Sequence, residues 1–211
     1  LANPYGSPSL EELCAGKKDI VIISSDHTRP VPSRVTMPIL LHHIHAAAPE
    51  ARVRILVATG MHRPSTHEEL VNKYGEEIVA NEEIVMHVAT DDSMMKKIGT
   101  LPSGGECIIN KIAADCDLLL AEGFIEPHFF AGFSGSRKSV LPGIASYKTI
   151  MYNHNGQFVN DSHSRAGNLC HNHVSEDMFA AAEMAHLAFV LNVVLNGKHE
   201  VIGSFAGDIH K

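Results

Sequence analysis

The residues with the most chemical potential lie between Glu126 and His154. There, Gly132-Phe-Ser134-Gly135-Ser-Arg137-Lys138-Ser139 places small residues around two cations, ahead of an apolar Val-Leu-Pro142-Gly143. Small residues let backbone N–H groups approach an anion closely, and a helix start adds the positive end of its dipole. The run is not a phosphate-binding P-loop, because G-x-x-x-x-G-K-[ST] needs Gly directly before Lys and Arg137 stands there. A lysine between Gly-rich turns and an apolar segment is set for burial, which lowers its pKa and favours covalent attachment. Lys138 is therefore the candidate anchor of a nucleotide-type cofactor, with Ser134, Gly135 and Arg137 beside it. The plainer alternative is a surface loop with a solvated Arg and Lys.

Five further residues have types that could serve a site. His62 (in Thr59-Gly-Met-His62-Arg-Pro64) and His128 (in Glu126-Pro-His128) each follow an apolar run. Imidazole titrates near neutrality, so a pair facing a substrate from two sides can exchange acid and base roles. Either histidine alone reads as a satisfied turn residue. In Ser25-Asp26-His-Thr-Arg29-Pro30, Arg29 offers a planar fork for a carboxylate or forms a surface ion pair, whereas Asp26 either serves the site or caps the turn before the helix that begins after Pro32. His154, in Tyr152-Asn-His-Asn-Gly156, is a candidate metal ligand or the C-terminal cap of a helix starting near Ala145. The chain carries 15 histidines, and the pairs His42/His45 and His171/His173 lack a third ligand, so they read as solvated.

Composition narrows the class. The formal net charge is −7 and no Lys or Arg run forms a basic stripe, which argues against nucleic-acid binding. Cys14, Cys107, Cys116 and Cys170 are scattered without a C-x-x-C pair, as expected of reduced thiols in a cytoplasmic protein. The strongest apolar stretch, Leu187 to Leu195, is interrupted by Asn192 and falls well short of the ~20 residues of a membrane helix. No signal-peptide pattern follows Leu1, and a start at Leu suggests a fragment.

The elements that must position these residues alternate. Strands are expected at Asp19–Ser24, Arg52–Thr59, Glu83–Ala89 and Asp117–Glu122, with a further one in Lys198–Phe205. Helical spacing is expected at Ser33–Ala48, Thr66–Tyr74 and Ser175–His186, the last opening on a capping-type Ser. The pattern predicts one α/β domain over residues 1–211, a Rossmann-like three-layer fold with a mostly parallel sheet and helices on both faces. Ligands in such sheets bind beyond the carboxyl ends of the strands, where the Asp26, His62 and His128 loops would converge.

Three motifs in this order, Ser25-Asp-x-Thr-Arg-Pro30, Ala58-Thr-Gly-Met-His-Arg-Pro64 and Glu126-Pro-His-Phe-x-x-Gly-x-Ser-Gly-x-Arg-Lys138-x-x-x-Pro-Gly143, resemble the lactate racemase family. The resemblance covers nearly the whole chain, including Asn3-Pro-x-Gly-Ser-Pro8 and Asn153-His-Asn155. It implies a nickel pincer nucleotide, a nicotinate-derived mononucleotide carrying sulfur arms and nickel, joined through a thioamide to Lys138. It also implies His154 as the nickel ligand, His62 and His128 as the proton-transfer pair, and Arg29 on the substrate carboxylate with Asp26 close by. The implied reaction is racemisation or epimerisation of a 2-hydroxy acid, lactate or a relative, by proton-coupled hydride transfer to the cofactor through a 2-oxo acid. Cofactor-synthesis enzymes, a carboxyl-terminal closing domain beyond Lys211 and amino-terminal strands before Leu1 are implied as well. His27 departs from the family pattern, where an apolar residue is more usual, and His171 and His173 stand where a Pro-containing turn is expected.

Two other classes compete. A zinc hydrolase built from the histidines requires three clustered ligands and a water. A non-catalytic nucleotide-binding module would use the Gly132–Lys138 loop but leave His62 and His128 without a role.

Overall fold

The computed structural model describes residues 1, 3–135 and 137–211, so Ser136 of the Gly-rich loop lies outside the described residues. The chain opens with α1 (Leu10–Cys14), β1 (Asp19–Ser25), α2 (Ser33–Ala47) and β2 (Arg52–Ala58). Next come α3 (His67–Tyr74), α4 (Glu76–Asn81) and β3 (Glu83–Met86). A hairpin, β4 (Met95–Thr100) and β5 (Glu106–Asn110), precedes α5 (Lys111–Asp115) and β6 (Leu118–Phe124). The site segment holds the short strands β7 (Pro127–His128) and β8 (Gly132–Phe133), then α6 (Arg137–Val140), α7 (Tyr147–Asn153) and α8 (Gly156–Val159). The chain ends with α9 (His173–Met184), β9 (Leu187–Leu195) and β10 (Val201–Gly207).

Six strands form the main sheet in the order β10-β9-β6-β1-β2-β3. All neighbours are parallel except β10, which returns antiparallel along β9. Period-two alternation splits each central strand between two cores: Ile20 and Ile22 face one, Val21 and Ile23 the other. The first core packs under Leu10, Met37, Leu40, Ile44 and Tyr74 of α1, α2 and α3. The second packs under Val140, Ile150, Val174 and Met178 of α6, α7 and α9. Complete burial of an Ile is worth about 2 kcal/mol, so a one-residue slip of β1 would be opposed from both faces. The expected three-layer α/β architecture is the one observed.

Chain order reverses across the sheet. From β1 the chain steps outward to β2 and β3, then crosses back so that β6 lies on the other side of β1. The carboxyl ends of β1 and β6 thus flank a switch point, where crossovers diverge and leave a crevice.

Several expectations shift in detail. Leu187–Leu195 is a nine-residue parallel strand beside β6, buried through Val193, with Asn192 within its buried run. The third strand ends at Met86, not Ala89, and the last runs from Val201 to Gly207. Helix α9 starts at His173 because Asn172, not Ser175, is its cap: the Asn172 side chain accepts the Ser175 N–H at 3.1 Å. Asp26 caps the turn before α2 as expected, accepting the Thr28 N–H at 3.1 Å, while α2 itself follows Pro32 without a side-chain cap. The β4–β5 hairpin was not expected. Among the described residues no helix is long and apolar enough to cross a membrane.

Candidate active site

Three carboxyl-end loops and one helix end enclose a cavity of about 340 Å³ at the switch point. Asp26, Arg29, His62, His128, Ser134, Gly135, Lys138 and His154 all line it. Of the residues expected there, Arg137 alone does not.

The first loop leaves β1 at Ser25. Buried Asp26 turns its carboxylate back on the chain, where Oδ1 accepts the Thr28 N–H at 3.1 Å and the Thr28 hydroxyl at 2.6 Å. This turn is the reason an Asx residue fits here. It leaves Oδ2 free for His62, whose Nδ1 is 2.7 Å away. Arg29 follows as an exposed cation at the cavity rim.

The second loop leaves β2 at Ala58. The buried Thr59 hydroxyl donates to the His87 carbonyl at 2.6 Å, and the chain then reverses at Gly60 with φ +53°. A side chain would strain that conformation. The Gly60 N–H donates to the Gly143 carbonyl at 2.9 Å, joining this loop to the Lys138 segment.

The third loop leaves β6 at Phe124 and is cross-tied. The Ser134 hydroxyl donates to the Phe124 carbonyl at 2.8 Å and accepts the Glu126 N–H at 2.9 Å. Within the tie, His128 Nδ1 accepts the Ala131 N–H at 3.2 Å. Its ring stacks on Phe129 and meets the edge of Phe130, with ring centroids 4.7 Å apart in both cases. Gly135, at φ +106°, turns the chain toward α6. Buried Arg137 donates to the carbonyls of Ala131 and Phe133 at 3.0 and 2.9 Å and lies 4.7 Å over the Phe179 ring. It faces a second cavity of about 470 Å³ and holds the loop from behind.

Lys138 and His154 share the inner wall. Burial, with Arg137 and Arg29 nearby, pulls the Lys138 amine down to about 7. Its Nζ lies 5.7 Å from the Phe130 ring centroid, and no carboxylate pairs with it among the described residues. His154 is the C-cap of α7, as the second sequence reading had it, and its ring abuts Phe130 with centroids 5.1 Å apart. Its Nδ1 is buried without a hydrogen-bond partner among the described residues. Burial first and the Lys138 charge second hold the imidazole near 4, and burial with the same amine does likewise for His128. An uncharged imidazole with an orphaned nitrogen, next to a reactive amine, fits a site that takes a metal-bearing group.

Sequence reasoning did not anticipate Thr28, Phe130 or Glu122. Glu122 is fully buried under the cavity and accepts hydroxyls from Ser24 at 2.6 Å and from Ser33 and Thr36. Its one signal was an acidic residue closing an apolar strand. The remaining histidines disperse: His45 pairs with Glu82 at 2.9 Å and His210 with Glu183 at 3.0 Å, while His42 and His171 are exposed. Among the described residues no three His, Cys, Asp or Glu side chains cluster as a metal site needs. All four cysteines are free.

The geometry has close relatives. A family model described as lactate racemase N-terminal domain matches residues 1–167. A lactate racemase of Lactiplantibacillus plantarum is 70% identical over 209 residues, 99% of this chain and 49% of that protein. One from Thermoanaerobacterium thermosaccharolyticum is 53% identical over 100% of this chain and 50% of its own length. The chain thus spans about half the length of the curated relatives it matches. The lactate racemase apoprotein structure from T. thermosaccharolyticum superposes with a TM-score of 0.97 at 54% identity, over 98% of this chain and 50% of that one. A Thermotoga maritima protein shares the fold at a TM-score of 0.77 and 23% identity, over 93% of this chain and 52% of that one. With its three motif loops gathered at one switch point and a family model spanning most of its length, the chain belongs to the lactate racemase N-terminal domain family.

Proposed function

We propose that this chain is the cofactor-bearing part of a 2-hydroxyacid racemase or epimerase, acting on lactate or a relative and dependent on a nickel pincer nucleotide. The observation that carries the reading is Lys138 and His154 on one cavity wall, an amine without a counter-ion beside an imidazole with an orphaned nitrogen among the described residues. Lys138 would tether the nucleotide covalently and His154 would hold its nickel, a metal suited to imidazole. When bound, the group supplies the hydride acceptor and donor that amino-acid side chains lack.

The chain's own residues do the rest. Arg29 at the rim receives the substrate carboxylate through its planar fork. His62 and His128 line the same cavity, so each is placed to hold or release the hydroxyl proton. Phe129 and Phe130 wall the cavity beside His128, restrict water there and so strengthen each polar contact inside. The half of the relatives' length that this chain does not span would close over the mouth, where Phe129 is 74% exposed. Four free thiols suit a reducing, cytoplasmic setting, and a tethered nucleotide would need cofactor-synthesis enzymes as partners.

The test uses full-length protein produced together with the cofactor-synthesis enzymes. Intact mass and peptide mapping should find a nucleotide-sized adduct on the Lys138 peptide, lost in Lys138→Ala, with nickel bound. An unmodified Lys138 in active enzyme would refute the tether, and zinc in place of nickel would refute the metal.

A further inference from the structure

We propose that Asp26 and the Ala131 amide fix His62 and His128 in opposite tautomers, so that the resting site holds one proton acceptor and one hydrogen-bond donor. The inference rests on reading these histidines as the proton-handling pair, and it goes beyond that reading by making them unequal.

The argument starts from what each Nδ1 meets. His62 Nδ1 faces Asp26 Oδ2 at 2.7 Å and the Thr28 hydroxyl oxygen at 3.4 Å. The Thr28 hydroxyl proton is already spent on Asp26 Oδ1 at 2.6 Å. Both neighbours are therefore acceptors, and His62 Nδ1 must carry the ring proton. Its Nε2 is then a bare lone pair, with no partner among the described residues.

His128 Nδ1 meets the opposite partner. The Ala131 backbone N–H, 3.2 Å away, can only donate. Nδ1 must therefore be bare, and the proton of the neutral ring sits on Nε2. The Phe129 and Phe130 rings wedge the imidazole in this orientation.

A 2-hydroxy acid fits such a pair in one arrangement. Its hydroxyl gives its proton to His62 Nε2 and accepts a hydrogen bond from His128 Nε2–H. As the O–H bond breaks, the new N–H forms at His62, and the resulting imidazolium keeps its Nδ1–H on Asp26. The charge left on the oxygen is met by His128. For the mirror-image hydroxyl, His128 would have to accept, which needs its proton moved to Nδ1 and the Ala131 bond broken. The 128–131 turn must then open, so the two enantiomers make different demands on the protein while their equilibrium is unchanged.

The tautomers can be read directly in full-length protein labelled with nitrogen-15 histidine, using long-range proton–nitrogen couplings and His62→Gln and His128→Gln for assignment. The expected result is Nδ1–H at His62 and Nε2–H at His128. Asp26→Asn should invert His62: the Thr28 donors still hold the side-chain oxygen, so the new amide donates to Nδ1 and drives the proton to Nε2. In the loaded enzyme kcat should then fall on the order of 10³-fold or more with little change in KM, as expected when a base is locked in the wrong tautomer. The same tautomer on both wild-type rings, or an unmoved His62 signal in Asp26→Asn, would overturn the proposal. The tautomers as stated, with undiminished turnover in both Gln variants, would uphold the assignment and instead remove the histidines from the racemase reading.

Discussion

The carboxyl group of Glu122 lies 2.6 Å from the Ser24 hydroxyl, fully buried beneath the cavity floor. The Ser24 hydroxyl in turn accepts from the buried Tyr74 phenol at 2.8 Å. Ser33 and Thr36 bring the start of α2 to the same carboxyl group, so one side chain ties β6, β1 and α2 together. Removing it leaves several buried hydroxyls without an acceptor, each costing about 1–3 kcal/mol. Glu122→Ala should therefore lower the unfolding free energy by about 3 kcal/mol or more, and Glu122→Gln by less. Denaturant titration of the two variants against wild type measures this; stability unchanged in both would mean that the hydrogen bonds do not matter.

Lys138 should react with amine reagents at unusually low pH. Because burial and the neighbouring guanidinium groups hold its amine near 7, the nucleophilic free base is present from neutrality upward. An ordinary lysine reaches that state only near pH ~10.4. In protein prepared without the cofactor pathway, acylation mapped by mass spectrometry should favour Lys138 at pH ~7. Its rate should level off above that point, and a rate still rising steeply at pH ~10 would contradict the prediction.

Acid should destabilise the cofactor-free protein through His87. This fully buried ring donates from Nε2 to the Ala145 carbonyl at 3.0 Å, and burial depresses its pKa from 6.5 to about 4. Its folded pKa is below its unfolded value, so the contribution is complete above pH 6.5 and is lost as pH falls toward 4. The total is about 3 kcal/mol for this residue. Unfolding free energies measured across that window should show a shallower acid slope in His87→Gln. An unchanged slope would assign the acid sensitivity to other groups.

Arg29 should act on substrate binding more than on turnover. Its place at the rim suits the carboxylate end of the substrate, a part unchanged by the reaction. Arg29→Ala in the full-length enzyme should raise KM by about 10- to 100-fold, equivalent to losing one charge-assisted pair. Arg29→Lys should recover only part of this, because a point charge lacks the fork. A pure kcat effect would move Arg29 to the reacting centre.

Much of this architecture was legible in the sequence because burial on both faces writes itself as continuous apolar runs. Ile20–Ile23 and Leu118–Ala121 are the plain examples, with parallel neighbours on either side. The same rule hid β9, whose nine-residue run at the end of a helix reads equally as a buried helical turn. The β4–β5 hairpin gave no signal because Met95-Lys-Lys-Ile-Gly-Thr lacks strict alternation and half of it faces solvent. At the site, residue types and strand ends located the cavity. The pairing of Asp26 with His62, 36 positions apart, depends on the register of β1 against β2 and could not be read from either motif. Arg137 shows the reverse limit, since a cation beside an expected anion site turned out to staple its own loop.

The hydrogen bond from Gly60 to Gly143 has a mechanical meaning. It ties the turn carrying His62 to the segment carrying Lys138, backbone to backbone. A load placed on the lysine would be passed toward the imidazole through that link. The Gly60 amide proton is thereby a gauge of the linkage: its exchange with solvent should slow once Lys138 carries its cargo, even though Gly60 has no side chain with which to touch it.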